Sequence, residues 1–258
     1  LSTIVKEPSI GMQLLKNEIK KIFRRAGFDV TRMPKFDSDT IHFLHIGKAA
    51  GTAITHLSHQ VNQIKGKNAI IKRNHDVFLK DIPDSCLYFF SIRDPISRFK
   101  SGFYSKKRRG WPRIKTEWSA SEELAFQSYE QATELAEDLF EPDERGARAW
   151  AAMKSIRHTA QNQSDWFYCY GHFLSVRPPV WIIRQEYFEQ DFADFLNKSG
   201  LDIEFSDLKM PAKPIETHAN DYAGLPDISD KALRNLRNWY CQDVEFYRMC
   251  ENWMEEHR

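Results

Sequence analysis

The sequence predicts an α/β fold with a central parallel β-sheet flanked by helices, and three observations lead there. Two short apolar runs of strand length, Ile41–Ile46 and Leu87–Ile92, are each followed at once by a loop and a helix-forming segment. A third run, Ala69–Ile71, lies between these two units. Strands that alternate with helices pair in parallel, because the intervening helix carries the chain back to the starting end of the sheet.

Taken in order, the first expected element is a helix over Met12–Ala26, where Leu14, Leu15, Ile19, Ile22 and Phe23 recur at helical spacing before Gly27. After a turn at Pro34 comes Ile41–Ile46, read as a buried strand because its run is nearly continuous in apolar residues. Small residues at Gly47 to Thr52 lead into a helix with the stripe Ile54, Leu57, Val61, Ile64. Ala69–Ile71 runs into the polar turn Arg73-Asn74-His75-Asp76. Beyond the strand Leu87–Ile92, Asp94 and Pro95 supply an N-cap and a first helical residue, and Phe99 and Phe103 share one face of that helix. Ser119 and Glu122 make a capping box for a long acidic helix reaching about Phe140. A helix over 144–156, an aromatic loop over 161–168, a last strand over 180–183 and a helix over 188–197 closed by Gly200 follow. Leu233, Leu236, Tyr240, Val244 and Tyr247 mark one C-terminal helix capped by Ser229.

A chain of 258 residues, 41% hydrophobic and 13% aromatic, has enough apolar surface for a core, and the expectation is a single domain over 1–258. Its apolar runs are far shorter than the roughly 18 residues a membrane span requires, and residues 1–20 lack the apolar stretch of a signal peptide, so no stable membrane insertion is expected. Four cysteines (Cys86, Cys169, Cys241, Cys250) form no CxxC pair and read as buried free thiols, and no metal site is expected. The net charge of +1 conceals segregation. Residues 93–115 carry nine Lys and Arg against Asp94 alone, while 117–144 carry ten acidic residues and no Lys or Arg. A basic block of this density marks an anion site or a solvated helical face. Nothing in the pattern points to nucleic acid.

A small-residue loop between a buried strand and a helix is suited to cradle phosphate: backbone N–H groups converge at the positive end of the helix dipole, and small side chains let an anion approach. Lys48 adds a mobile charge. The nucleotide-triphosphatase loop is a different pattern, since there Lys follows the second Gly and precedes Ser or Thr, whereas Lys48 precedes Gly51. The second segment, Arg93-Asp94-Pro95-Ile96-Ser97-Arg98-Phe99-Lys100-Ser101, puts Arg at a strand end and Ser eight residues on.

Together these segments resemble the sulfotransferases that use 3′-phosphoadenosine 5′-phosphosulfate. They are most similar to the carbohydrate-directed branch (heparan sulfate 2-O/6-O-like), whose loop resembles His-Ile-Pro-Lys-Thr-Gly-Gly-Thr and whose second motif resembles Arg-Asp-Pro-x-x-Arg. The motifs cover 41–103, with a weaker likeness over 181–195. The resemblance implies a P-loop-like nucleotide-binding fold, with donor-binding motifs over 41–105 and a mainly helical acceptor-side insertion over 106–179. Lys48, Ala49, Ala50, Gly51, Thr52 and Ala53 would hold the 5′-phosphosulfate, and Arg93 with Ser101 the 3′-phosphate. The product would be adenosine 3′,5′-bisphosphate, and no metal is implied. The chain departs from the pattern at Gly47 (usually Pro), Ala49 (often Thr or Ser) and Ala53 (often a hydroxyl), which leaves backbone amides and Thr52 to hold the phosphosulfate.

Sulfuryl transfer requires a base for the acceptor hydroxyl and a cation for the leaving phosphate. His75 is the expected base, since it lies in a polar turn between the motifs and an ordinary imidazole is mostly neutral at pH 7; Lys48 is the expected cation. His42 and His45 read as structural strand residues. Lys106, Arg108, Arg109 and Trp166 are expected at the acceptor, a hydroxyl compound of the saccharide class, and Thr217, His218 and Asn220 in a loop over the nucleotide. A cytoplasmic, bacterial-type enzyme is favoured over a Golgi-lumen fragment. Two alternatives stay open: an adenine-nucleotide-dependent small-molecule kinase, and a non-catalytic module binding polyanionic glycans.

Overall fold

Four strands pair in the computed structural model, which describes residues 36–111, 115–167, 172–211 and 224–258. They are β1 (Ile41–Leu44), β2 (Ile70–Lys72), β3 (Tyr88–Ile92) and β4 (Ile182–Arg184). All pairings are parallel, in the order β2-β1-β3-β4, with Phe43 opposite Phe89 and Phe90 opposite Ile182. Every residue of β1 and β3 is buried, as expected of strands covered on both faces. Alternation sends neighbouring side chains to opposite faces. Phe89 stacks on Phe43 and on Phe195 of α7 (Phe188–Ser199), while Phe90 packs against Phe167 and Phe173 on the other side.

The helix after β1, α1 (Gly51–Lys65), buries Ile54, Leu57 and Val61 completely, but Ile64 is 53% exposed, so the predicted stripe ends one turn early. Asn62 takes over at that end: its amide donates to the Ile70 carbonyl and accepts from the Ile70 N–H, each at 2.8 Å, tying α1 to β2. After β3 comes α2 (Pro95–Lys107), where the Asp94 carboxylate accepts from the Ser97 N–H at 2.8 Å and Pro95 opens the first turn, as the sequence predicts.

Between β3 and β4 the chain is mainly helical, with α3 (Ala120–Ser128), α4 (Ala132–Asp138), α5 (Glu144–Ser155) and the single turn α6 (Phe173–Val176). The single long acidic helix of the sequence reading is two helices. Its break at Tyr129–Gln131 is stabilised twice: Glu134 accepts from the Glu130 and Gln131 N–H groups, and Lys107 donates to the Tyr129 and Glu130 carbonyls. A segment with no cation of its own thus takes one from the basic helix. The capping box at Ser119 and Glu122 forms as predicted.

The C-terminal helix also divides, into α8 (Asp230–Trp239) and α9 (Cys241–Glu256), with Ser229 capping through Ala232. The kink at Tyr240 rotates the buried stripe to Asp243, Phe246, Cys250 and Met254 and leaves Val244 40% exposed. Cys86 and Cys250 are buried free thiols, but Cys241 is exposed, contrary to the reading of all four as buried; Cys169 lies outside the described residues. The predicted helix over 12–26 and Thr217, His218 and Asn220 also lie outside them. Asp37–Arg258 cluster as one compact unit, and no helix among the described residues is long and apolar enough to cross a membrane.

Candidate functional site

In parallel sheets ligands bind beyond the carboxyl ends of the strands, at the point where the strand order reverses. Here the chain moves from β1 outward to β2 and then back past β1 to β3, so the crevice falls between the loops that follow β1 and β3. A cleft of about 360 Å³ lies there. It is lined by Lys48, Ala50, Gly51 and Thr52 after β1, His75 after β2, Arg93, Ser101 and Lys106 after β3, and Gln185 after β4.

The loop is held from below. The Gly47 carbonyl accepts from Arg98 Nε at 2.9 Å, the Lys48 carbonyl from Arg93 at 3.5 Å, the Ala49 carbonyl from the buried Ser91 hydroxyl, and the Ala50 carbonyl from the Ile54 N–H at 3.1 Å. Four successive carbonyls are therefore engaged by the scaffold, and the start of α1, the positive end of its helix dipole, opens on the cleft at Gly51. Lys48 and Ala50 take positive φ (69° and 57°), conformations costly for residues with a Cβ.

Gly51 is required by contact. A Cβ there would stand 1.9 Å from His45 Nε2, because the imidazole of His45 lies across the start of α1. Gly51→Ala must displace His45, whose ring is packed against that of His75. The variant is expected to lose about 1–3 kcal/mol of stability. Melting curves check this, and a wild-type value would show that the imidazole yields freely.

On α2, Ser97, Ser101 and Ser105 recur every four residues, so they form one row along the helix. Ser101 and Ser105 line the cleft, and Ser97 accepts from Arg93 Nε at 2.8 Å, fixing the guanidinium. The backbone of Arg93 is clamped by Gln163, whose amide accepts from its N–H at 2.9 Å and donates to its carbonyl at 2.8 Å. Arg98 is 2% exposed and joins the Gly47 loop to the Gln161 carbonyl and to the buried Asp243, 3.7 Å away.

His75 Nδ1 donates to the His45 carbonyl at 3.0 Å, since a carbonyl can only accept, and this tautomer leaves Nε2 with a lone pair. Burial holds the His75 pKa below its ordinary value. The His45 ring centroid lies 3.9 Å from that of His75, and burial with the neighbouring His75 pushes the His45 pKa down to about 2. Lys48 is lowered to about 8, first by burial and then by Arg108, Arg93 and Arg98. These cations crowd one another: the lining carries Lys48, Arg93, Lys106 and Arg157 and, among the described residues, no carboxylate.

Of the predicted donor-binding positions, two do not reach the cleft. Ala49 is fully buried beneath the loop and Ala53 is absent from the lining. Of the predicted acceptor residues only Lys106 lines it, while pairing with Glu122 at 3.2 Å. Arg109 stacks on Trp118 and pairs with Glu117, and Arg108 Nε donates to the Trp111 carbonyl. Trp166 is 2% exposed and packs in the core beside Phe78 rather than opening on the cleft. His42 has the structural role expected of it, accepting from Arg73 and donating to the Asp37 carbonyl. Sequence reasoning missed His45 as a wall of the site, together with Arg157, His158 and Gln185. The serine row was visible as a four-residue spacing; His158, more than a hundred residues beyond Lys48, carried no local signal. Comparisons of the chain with protein-family models, with curated proteins and with solved structures find no match in any of the three.

Proposed function

We propose that the chain is a sulfotransferase, moving a sulfuryl group from 3′-phosphoadenosine 5′-phosphosulfate to a hydroxyl of a saccharide. The observation that carries this reading is the meeting of Lys48, Arg93, Ser101 and His75, nominated separately along the sequence, around one cleft whose described lining has cations and no carboxylate. In the proposed reaction the acceptor oxygen bonds to sulfur as the bond from sulfur to the phosphate oxygen breaks. The hydroxyl proton passes to Nε2 of His75, and Lys48 offsets the charge gathering on the departing bisphosphate.

Two features favour this reading over its alternatives. A kinase needs carboxylates to hold magnesium beside the phosphates, and the described lining offers none. A module reading glycans through Lys106–Arg109 needs that cluster to face outward, yet Lys106, Lys107 and Arg109 are paired with Glu122, Glu130 and Glu117. A cytoplasmic setting remains part of the proposal.

Calorimetry with adenosine 3′,5′-bisphosphate beside ATP is the first test, and the expected result is preference for the bisphosphate. Arg93→Ala sharpens it. If Arg93 and Ser101 hold the 3′-phosphate, the variant loses the contribution of a charge-assisted contact, about 1.5–3 kcal/mol or roughly 10- to 150-fold, for the bisphosphate. Its affinity for adenosine 5′-phosphate should barely change. Equal loss for both nucleotides would overturn the assignment.

A further inference from the structure

His158 occupies a place in the cleft that the reaction above leaves unused. It sits after α5 in a left-handed conformation, φ 76°, and its imidazole reaches back over the loop that follows β1. Two glycines make room for it. A Cβ on Gly47 would stand 2.8 Å from His158 Nδ1 and 3.2 Å from its Cε1, and a Cβ on Gly102 would stand 3.3 Å from its Cβ. The same point above Gly47 is 3.8 Å from Cε1 of His75, so two imidazoles converge where residue 47 has no side chain. Their ring centroids are 6.1 Å apart with the planes at 62°. Among the described residues no hydrogen-bonding partner holds the His158 ring, although it lines the cleft beside Lys48.

A backbone conformation that a β-carbon disfavours, one glycine that clears the ring and another that clears its Cβ and backbone, and a ring without a hydrogen-bonding partner among the described residues together describe a side chain held for something outside the protein. We propose that His158 is a second catalytic imidazole, whose ring N–H donates a hydrogen bond to the sulfuryl oxygens of the donor, and that Gly47 is the space that admits it. This rests on the sulfotransferase reading. The proton balance stays with His75: the acceptor proton goes there, the bond between sulfur and the phosphate oxygen breaks, the bond from sulfur to the acceptor oxygen forms, and His158 neither gains nor loses a proton. Burial, followed by the charges of Lys48 and Arg157, holds the His158 pKa far below its ordinary value, so the ring is neutral and carries one N–H. A neutral imidazole donor adds no further cation to a crowded site and keeps its proton at the end of the step.

The test compares two probes that differ only in the sulfuryl group. Equilibrium binding is measured with intact 3′-phosphoadenosine 5′-phosphosulfate and with adenosine 3′,5′-bisphosphate. His158→Ala should weaken the intact donor by about ten- to a hundredfold, the range of a hydrogen bond to a charged group, and leave the bisphosphate nearly unchanged. His158→Gln, which keeps an N–H donor, should recover part of the loss. Gly47→Ala should reproduce the donor-specific loss by pushing the ring aside, and should add nothing in a His158→Ala background. Equal weakening of both probes, or unchanged donor binding, overturns the role of His158 while leaving the sulfotransferase reading intact. Failure of the wild-type protein to bind either probe removes both.

Discussion

Replacement of His75 by Ala is expected to lower sulfuryl-transfer turnover by about 10²–10⁴ and to leave bisphosphate affinity nearly intact. The base acts on the acceptor hydroxyl, and Nε2 of His75 is the lone pair that its bond to the His45 carbonyl leaves free. The pH profile carries an independent sign. Transfer needs the neutral ring, and burial lowers the His75 pKa, so the acid limb should lie below the ordinary histidine value, with activity persisting as pH falls through 6.5. In His75→Ala that limb should vanish together with the rate. A saccharide panel with labelled donor, read by mass spectrometry across pH, measures both effects. A folded variant that transfers at the wild-type rate would move the base elsewhere.

The part of the cleft built by the segments after β1 and β3 was legible because its pieces are local in sequence. A strand, a loop of small residues and a helix are one continuous string at 41–65, and Arg93 to Ser101 is another. The parallel sheet then brings the two strings side by side without any further information. His75 was legible for the same reason, lying in the polar turn that follows β2. The surroundings of the residues expected at the acceptor were not. Lys106 to Arg109 read as a surface for polyanions because the partner of that charge, the acidic stretch over 117–144, is displaced along the chain and meets it only in the folded state. Two helix breaks were hidden likewise. Nothing at Tyr129 disfavours helix, and at the break Lys107 comes from α2, distant along the chain, to take the freed carbonyls. Trp166 shows the opposite failure: an aromatic in a polar loop, Gln161–Asp165, looks available, but its ring is core.

The charge at Lys48 yields the remaining large effect. Lys48→Ala is expected to lower turnover by about 10²–10³, because the leaving phosphate loses the cation that stabilises its developing charge. Lys48 also makes binding depend on pH in a direction that follows from its surroundings. Burial and the neighbouring Arg108, Arg93 and Arg98 lower its pKa to about 8, since each disfavours one more positive charge. A bound bisphosphate reverses that balance and raises the pKa again. The protonated lysine is the binding form, so bisphosphate affinity should be full below about pH 8 and fall as pH rises past it. Binding near pH 9 should then take up a proton, which calorimetry detects as a heat that varies with the ionisation enthalpy of the buffer. Lys48→Arg should abolish both the pH dependence and the uptake, because a guanidinium stays charged throughout this range. Constant affinity between pH 7 and 9.5 in the wild-type protein, with no proton uptake, would mean that Lys48 does not meet the nucleotide, and the leaving-group role would pass to Arg93.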